Sequence, residues 1–471
     1  MSKFFVVSEF GCGLGVWKHI ASLGHSVTVH IGSKNGGPKI ESRFVGDGLI
    51  DKIDSYAKFR DEALDFHRNV GDTYALFDSS GEEDAGRYAE EFRALGIPTL
   101  CSGKFAERLE RERDFSMEMM KSIGVDMPDY QVFHTISETI QHVWANRNKG
   151  LVLNGKVHEK VYFKCNAFMG CDSTRSCDSP EDLIRFLRNL RARSADRRVN
   201  ILQAMIDGPA ISTARWWNGK AWVGPYEITI EKKKVFAMSG REVGPSTGCA
   251  LNVVFWHPDP EPAIAKALKW DKYAALFLKY NAPPGFYDVN AVLKDGKAWF
   301  LEWTPRFGWD SEGTSIPLLY ENVADWMKFV ATGNPVGQLG LSNQLAYAVR
   351  LGVPPYPWEN AERDAKGSAV GVAVWGPPTR DLTGKEGFIA YELRKGKFNK
   401  ELEVATASGI VGLACATGPK MSELHEKVLG IIDKIKTSSA LVYRPDGDEA
   451  IAEAAEDALA EGFPLHPGLT K

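Results

Sequence analysis

The chain has 471 residues, of which 44% are hydrophobic and 25% are charged, and its formal net charge is −4. This length is too great for one ordinary hydrophobic core, so two to four domains are expected, and the small net charge argues against a polyanionic or polycationic partner. With no membrane-length apolar run, no signal-peptide pattern and seven scattered cysteines, the sequence predicts a cytoplasmic protein that has free thiols and no membrane partner.

Residues 1–110 alternate between strand and helix patterns. The strand patterns are KFFVVSEF, HSVTVHIG, TYALFDSS and GIPTLCSG, and GEEDAGRYAEEFRALG has helical periodicity. This alternation predicts a doubly wound parallel sheet, whose ligands gather at the carboxyl ends of its strands. The segment GCGLG, with Gly11 and Gly13, follows the first strand. It lacks the spacing of a dinucleotide fingerprint, but such a turn can receive an anion, or it can simply make a tight turn.

The middle of the chain begins with a long amphipathic helix, FAERLERERDFSMEMMKSIG. Two more helices, ISETIQHVWANRNK and SPEDLIRFLRNLRARSADRR, enclose the strand VYFKCN and the segment AFMGCDSTRS. The basic run at residues 188–198 is most simply a solvated helix end. A nucleic-acid partner is possible but not indicated, because no aromatic residues interleave with the basic ones. Residues 341–471 have short strands and two helices, which predict a small α+β unit.

The most informative stretch is GFYDVNAVLKDGKAWFLEWTPRFGWDSE. Asp288 and Glu302 lie in two β-prone runs, and the turn at residues 294–297 predicts a hairpin between them. Pairing of these runs can bring the two carboxylates side by side, where hard oxygen ligands favour Mg²⁺. Arg306 follows four residues after Glu302 and suits the phosphate oxygens of a magnesium-bound ligand. An ordinary hairpin with polar ends is the alternative.

Three further features precede this hairpin in a fixed order. Lys164 lies inside a strand, where it suits a phosphate oxygen. The strand end at residues 203–206 offers backbone groups to an adenine. Residues 244–248, with the sequence GPSTG, are predicted to form a loop rich in glycine, serine and threonine. The four features together predict a nucleotide site with a neighbouring substrate loop.

In this order the chain resembles the ATP-grasp superfamily, and within it the phosphoribosylamine–glycine ligases. VYFKCN is similar to the family's VVVKAD strand, ILQAMIDG to its adenine hinge, GPSTGCA to its GPNTGGMG loop and LEWTPRFGWDSE to its LEFNCRFGDPE motif. The resemblance implies a multi-domain α/β ATP-grasp fold. Its expected parts are an N-terminal doubly wound domain (residues 1–110), an ATP-grasp domain (111–340) with a lid at about 134–205, and a C-terminal α+β domain (341–471).

The resemblance also implies an activity and a set of site residues. The activity is that of a ligase that uses ATP and Mg²⁺ to activate a small amino acid, with glycine expected, as an acyl phosphate and join it to an amine, acting as a monomer or homodimer on small molecules. Arg306 would stabilise the transferring phosphoryl group. The remaining residues divide into ATP-binding (Arg113, Lys164, Gln203, Met205, Ile206), metal-binding (Asp288, Glu302, Thr304) and substrate-binding (Ser246, Thr247, Gly248, Asp310, Gly11, Gly13) groups.

Several positions depart from the family's pattern and leave the acceptor open. Arg113 stands where the family has a lysine, Gln203 replaces a glutamate, Ala210 an acidic residue and Thr304 an asparagine. FGCGLGV lacks the basic residue of the family's GGREHAL, which holds the phosphorylated amine. The alternatives are therefore the purine-pathway ligase, a ligase acting on another amine such as that of a modified nucleotide or nucleic acid, and a non-catalytic nucleotide-binding scaffold. A kinase or a carboxylase of the same superfamily is a further class.

Overall fold

The computed structural model describes the chain apart from residues 9–10, 33–42, 79–82, 167–173, 194–195, 239–240, 309, 335–338, 359–368, 384–385, 398–400 and 471. Most of the segment AFMGCDSTRS therefore lies outside the described residues. None of the helices in the described part of the chain is long and apolar enough to cross a membrane.

The N-terminal domain is built on a parallel sheet. Its elements are β1 (Lys3–Ser8), α1 (Leu14–Ser22), β2 (Ser26–Ile31), β3 (Asp51–Lys52), α2 (Tyr56–Asn69), β4 (Thr73–Phe77), α3 (Glu83–Ala94) and β5 (Thr99–Leu100). The strand order is β3-β2-β1-β4-β5, and every pair is parallel. The predicted doubly wound sheet is confirmed. Its winding reverses between β1 and β4, so a ligand crevice is expected at the ends of these two strands.

A smaller antiparallel unit follows, and we call it the lid. Helices α4 (Lys104–Arg111) and α5 (Arg113–Ser122) lead into β6 (Tyr130–Thr135), α6 (Ile136–Asn146), β7 (Leu151–Leu153), β8 (Lys156–His158), β9 (Val161–Cys165), β10 (Thr174–Cys177), α7 (Pro180–Arg193) and β11 (Arg197–Ala204). The order of its main sheet is β10-β9-β11-β6. Thr135 and Glu138 form a capping box that fixes the start of α6. The lid has its own hydrophobic cluster, which includes Phe133, Phe163 and Leu187.

The largest sheet has eight strands among the described residues and extends into the C-terminal part. Its order is β16-β15-β12-β13-β14-β17-β22-β19. The remaining elements are β12 (Ala210–Trp217), β13 (Trp222–Met238), β14 (Arg241–Trp256), α8 (Ala263–Ala267), α9 (Trp270–Lys279), β15 (Gly285–Lys294), β16 (Lys297–Thr304), α10 (Ser311–Leu319), α11 (Val323–Thr332), β17 (Leu345–Gly352), β18 (Ala373–Trp375), β19 (Gly387–Ala390), β20 (Leu393–Lys395), β21 (Leu402–Val404), β22 (Ile410–Gly418), α12 (Met421–Ile432), β23 (Lys436–Thr437) and α13 (Gly447–Ala460). Because β14 pairs with β17, one sheet crosses the boundary predicted at residue 340; the domain limits stay a prediction.

Residues 244–248 belong to a strand, so the predicted loop is wrong. They lie within β14, which pairs with β13 along a long hairpin, and Ser246 lies opposite Lys234. The register shifts on both sides of Lys234, and Gly244 has a φ of +87°. Such bulges accommodate glycine inside a strand and bend it locally. The small polar residues therefore mark an irregular strand.

Candidate active site

Four polar side chains share one face of the β15–β16 hairpin, and we call them the polar quartet. Asp288 lies opposite Thr304, and Asn290 lies opposite Glu302. Alternate residues of a strand project to the same face, so the four side chains form a square. The hairpin is confirmed, but the expected side-by-side carboxylates are not, because the register places them at diagonal corners.

Asn290 is the member of the quartet that sequence reasoning missed. Its Nδ2 donates hydrogen bonds to Asp288 Oδ2 at 3.3 Å and to Thr304 Oγ1 at 3.2 Å. The available signal was its position two residues after Asp288 in a β-prone run, which places both side chains on one face. The amide links the two strands across the face that carries the carboxylates.

Glu302 is surrounded by cationic side chains. Arg113 Nη1 lies 3.1 Å from Glu302 Oε2. Burial alone would raise the pKa of Glu302, but Arg113, Lys164 and Lys233 outweigh this effect and hold it at about 2. Glu302 is therefore ionised at every physiological pH, which suits a ligand of a divalent cation.

Asp288 experiences the opposite environment. Burial, followed by the negative charge of Glu231, raises the pKa of Asp288 to about 7. Asp288 Oδ1 is buried and accepts no hydrogen bond from the described residues. A buried carboxylate oxygen without a hydrogen-bond partner is suited to a cation. The two carboxylates of the quartet thus differ in pKa because their surroundings differ.

Two lysines act on the quartet from strands outside the hairpin, one from β9 of the lid and one from β13 of the large sheet. Lys164 Nζ donates to the backbone oxygen of Leu301 at 3.2 Å, and burial lowers its pKa to about 8. Lys233, on β13, was missed by sequence reasoning; its Nζ lies 3.8 Å from Glu231 Oε1. The charge of Glu231, followed by that of Glu302, raises the pKa of Lys233. The two lysines together can hold a phosphate chain beside the carboxylates.

The predicted adenine segment contains a buried amide without partners. Gln203 is 1% exposed, and neither its Nε2 nor its Oε1 has a hydrogen-bond partner among the described residues. Met205 N–H donates to the backbone oxygen of Lys160 at 3.1 Å, so this donor is already used, whereas Ile206 is half-buried. An amide presents both a donor and an acceptor, which matches the edge of an adenine ring.

The structure positions Arg306 near the quartet and directs Asp310 away from it. Glu110 on α4 accepts two hydrogen bonds from Arg306, from Nε at 3.1 Å and from Nη2 at 2.6 Å, and the positive charge of Arg306 lowers the pKa of Glu302. The Asp310 carboxylate instead accepts bonds of 2.7 and 2.6 Å from Arg350. Both side chains of that pair are fully buried, so Asp310 could bind substrate only by breaking it.

The predicted substrate segment lies beside Lys233. Thr247 Oγ1 donates to the backbone oxygen of Lys233 at 2.7 Å, and this threonine is buried. Ser246 is exposed and Gly248 is half-buried. The segment is therefore fixed next to Lys233, whose charge lowers the pKa of Glu302. The hydroxyl proton of Thr247 is already used in the hydrogen bond to the backbone.

At the N-terminal turn a carboxylate lies where an anion would dock. The α-carbon of Gly13, which caps α1, is so close to Asp78 that an added Cβ would lie 2.4 Å from Asp78 Oδ2. Trp17 Nε1 donates to the same oxygen at 3.1 Å. Burial, Glu392 and then Asp78 raise the pKa of the Cys12 thiol. Gly11 has a φ of +78° and donates its N–H to Ser8 Oγ at 3.0 Å. The charged side chain nearest to Gly13 among the described residues is therefore the Asp78 carboxylate.

A doubly wound N-terminal domain, an antiparallel lid and a large antiparallel sheet that carries a polar quartet define an ATP-grasp fold. No known protein-family model matches the chain. It is 22% identical over 432 residues to the phosphoribosylamine–glycine ligase of Lactococcus lactis subsp. lactis (strain IL1403), which covers 88% of this chain and 95% of that protein.

Solved structures agree on the fold. Phosphoribosylamine–glycine ligase from Thermotoga maritima superposes with a TM-score of 0.66 at 16% identity, over 94% of this chain and 99% of that one. The biotin carboxylase domain of 2-oxoglutarate carboxylase from Hydrogenobacter thermophilus, solved in complex with MgADP, ADP and bicarbonate, gives 0.58 at 13% identity, over 99% and 97% of the two chains. L-amino acid ligase from Bacillus licheniformis gives 0.56 at 12% identity, over 93% and 99%. The chain has the ATP-grasp fold and resembles phosphoribosylamine–glycine ligase at low sequence identity.

Proposed function

We propose that the chain is an ATP-dependent carboxylate–amine ligase. The observation that carries the proposal is the polar quartet, in which Glu302 is kept ionised by Arg113 and Lys164. Carboxylates and cationic side chains close to one another fit a magnesium-bound triphosphate. The carboxylate oxygens can bind the metal, and the cationic side chains can bind the phosphates. The likeness to two ligases and to a carboxylase domain bound to MgADP supports the same reading.

The described residues fit both ATP and Mg²⁺. The unpartnered amide of Gln203 fits an adenine, and the unpartnered Oδ1 of Asp288 fits a cation. In the proposed assignment Asp288 and Glu302 are metal ligands with Thr304 as an auxiliary, and Met205 and Ile206 flank the adenine. When bound, magnesium would neutralise charge on the phosphates.

The reaction needs positioning more than it needs a protein nucleophile. A carboxylate oxygen of the acid attacks the γ-phosphorus, the bond from that phosphorus to the bridging oxygen breaks, and ADP leaves. The amine nitrogen then attacks the acyl carbon, a C–N bond forms, the C–O bond to phosphate breaks, and the nitrogen releases a proton to solvent. Lys164, Arg113 and Lys233 hold the phosphates, and Arg306 stabilises charge on the transferring group.

The acid is proposed to be a small amino acid, glycine first, bound near residues 246–248. Thr247 fixes this segment to the strand that carries Lys233, so the acid would lie within reach of the γ-phosphate. Ser246 and Gly248 contribute the accessible surface. Asp310 stays a weaker candidate, since it is already paired with Arg350.

The amine is proposed to lie in the crevice at Gly11 and Gly13, and the geometry favours an unphosphorylated one. A phosphorylated amine would place its anion at the N-terminus of α1, but the Asp78 carboxylate already lies against Gly13. Like charges at this distance repel, so the acceptor is expected to be neutral or cationic at its far end. This argues for a ligase that has moved away from phosphoribosylamine.

The test is glycine-dependent ADP release with magnesium and ATP in the presence of hydroxylamine. Hydroxylamine traps an acyl phosphate as a hydroxamate and needs no acceptor pocket. We expect a glycine hydroxamate by mass spectrometry, together with ADP. Nucleotide binding without ADP release for any amino acid in a panel would support the non-catalytic scaffold instead. ADP release without a hydroxamate would contradict an acyl phosphate, and a phosphorylated product in that sample would identify a kinase.

A further inference from the structure

The Asn290 amide gathers the oxygens of the polar quartet towards one point. Its Nδ2 lies 3.3 Å from Asp288 Oδ2 and 3.2 Å from Thr304 Oγ1. An N–H group and a metal ion attract the same lone pairs, because both present positive charge to an oxygen. A cation bound close to the position of the amide nitrogen would therefore also be within reach of these oxygens.

We propose that Asn290, rather than Thr304, supplies the neutral oxygen ligand of the magnesium site, beside Asp288 and Glu302. The inference rests on the proposed function. A half-turn of the amide about its Cβ–Cγ bond exchanges Nδ2 for Oδ1 and presents a carbonyl oxygen to the same point. Glu302 lies directly opposite Asn290, and Asp288 is two residues away on the same strand and face, so three oxygen-bearing side chains converge there.

The hydrogen bonds give Thr304 a different role. Its Oγ1 accepts the Asn290 bond, so it orients the amide from the neighbouring strand. Groups that orient a ligand still change metal affinity by about ten- to a hundredfold, although they form no bond to the metal themselves. Asp288 Oδ1 is buried and accepts no hydrogen bond from the described residues, which leaves a lone pair for a cation. Amide and carboxylate oxygens together form the hard ligand set that magnesium prefers.

The test measures Mn²⁺, a spectroscopic substitute for Mg²⁺, by electron paramagnetic resonance on the full chain with a non-hydrolysable ATP analogue. We expect Asn290→Ala to weaken Mn²⁺ binding by more than about a hundredfold, because a direct ligand is lost, and Thr304→Ala by about ten- to a hundredfold, the range typical of a group that orients a ligand. Asn290→Asp keeps an oxygen and should retain binding. The double variant Asn290→Ser with Thr304→Asn returns an amide to β16 and should recover most of the lost affinity.

The outcomes separate this inference from the proposed function. Equal Mn²⁺ affinity in the wild type and Asn290→Ala, or a larger loss in Thr304→Ala, overturns the role of Asn290 while the metal site stands. Absence of Mn²⁺ binding by the wild type with the nucleotide bound overturns the metal site and this inference together. Tryptophan fluorescence reports nucleotide binding in each sample, and thermal unfolding reports the fold. If Asn290→Ala does not fold, Asn290→Leu, which keeps the size of the side chain but carries no oxygen, takes its place in the comparison with Thr304→Ala.

Discussion

At the level of single residues, Glu302 is the side chain on which the proposed chemistry depends most. Glu302→Gln keeps the shape but removes the charge that faces Arg113 at 3.1 Å. We expect ATP turnover to fall by about a hundredfold or more, since transition-state charge stabilisation is lost, while cooperative unfolding is retained. Glu62→Gln, at an exposed ion pair with Lys3 in the N-terminal domain, is the matched control. Near-normal ADP release by the Glu302 variant would remove it from the metal site.

Lys164 predicts a pH dependence of ATP binding. Burial lowers its pKa from 10.5 to about 8, so the ligand-free protein loses this charge as the pH rises above about 8. Phosphate binding favours the charged form, so the affinity for ATP should fall by up to about tenfold per pH unit above that value. Because the folded state binds fewer protons than the unfolded chain between about 8 and 10.5, the same group makes the fold more stable as pH rises through that range.

Titration calorimetry from pH 7 to 9.5 checks this dependence. Lys164→Arg, whose guanidinium does not deprotonate in that range, should bind ATP more weakly at pH 7 but without the alkaline decline. Lys233 cannot imitate the effect, because Glu231 raises its pKa. An affinity that is flat across the range in the wild type would contradict a phosphate contact by Lys164.

At the level of elements, helix α4 positions an arginine that follows strand β16. Glu110 holds the Arg306 guanidinium through Nε and Nη2. Glu110→Gln should leave the arginine charged but poorly oriented, so we expect kcat to fall by about tenfold with little change in the KM for ATP. Glu110→Asp should recover part of the rate. Glu112→Gln, at the C-cap of the same helix and in an exposed pair with Arg108, serves as the control. A loss confined to KM or to thermal stability would show that Glu110 has only a structural role.

The elements also show how far local sequence patterns reach. The hairpin turn was predictable because Asp295 and Gly296 both take the left-handed conformation of a two-residue connection. The register was not, since an irregularity between Asn290 and Ala291 shifts the pairing and no local pattern specifies a bulge. The loop predicted at residues 244–248 failed for a related reason, because small polar residues favour both loops and bulged strands.

Contacts between distant segments were beyond sequence reasoning altogether. The order of motifs identified the ATP-grasp fold, and Lys164 and Glu302 lie close enough for their charges to interact. Arg350 and Asp310, however, are 40 residues apart, and their bidentate pairing depends on how β17 lies against the start of α10. Lys233 lies in a run of three lysines, and the sequence does not show which of them is close to Glu302. The structure does, because the charge of Lys233 lowers the pKa of Glu302.

For the whole molecule, the C-terminal part of the chain packs against helix α1 beside the N-terminal crevice. Ile389 packs so tightly on Gly15 that an added Cβ would lie 2.1 Å from its side chain, and His19 Nδ1 lies 3.0 Å from the backbone oxygen of Thr383. Burial, followed by the charges of Glu392 and Asp78, raises the pKa of the Cys12 thiol in the crevice, whereas the charge of Arg350 lowers it. Gly13 is too crowded for a clean substitution, because any side chain would strike Asp78 and Trp17. Asp78 itself is therefore the residue with which to probe the acceptor.

The acceptor class is tested with two amines that differ only at the far end, 1,3-diaminopropane and 3-aminopropyl phosphate. If Asp78 excludes an anion, the diamine should support amide formation with a KM lower by about tenfold or more. Asp78→Asn removes the charge at nearly constant shape and should narrow that difference, whereas Asp61→Asn, at an exposed position on α2, should not. Hydroxamate formation with glycine in the same samples verifies that the acid is activated. Because the hydroxamate shows that the activation step is intact, equal KM values for the two amines would contradict selection of the acceptor by Asp78.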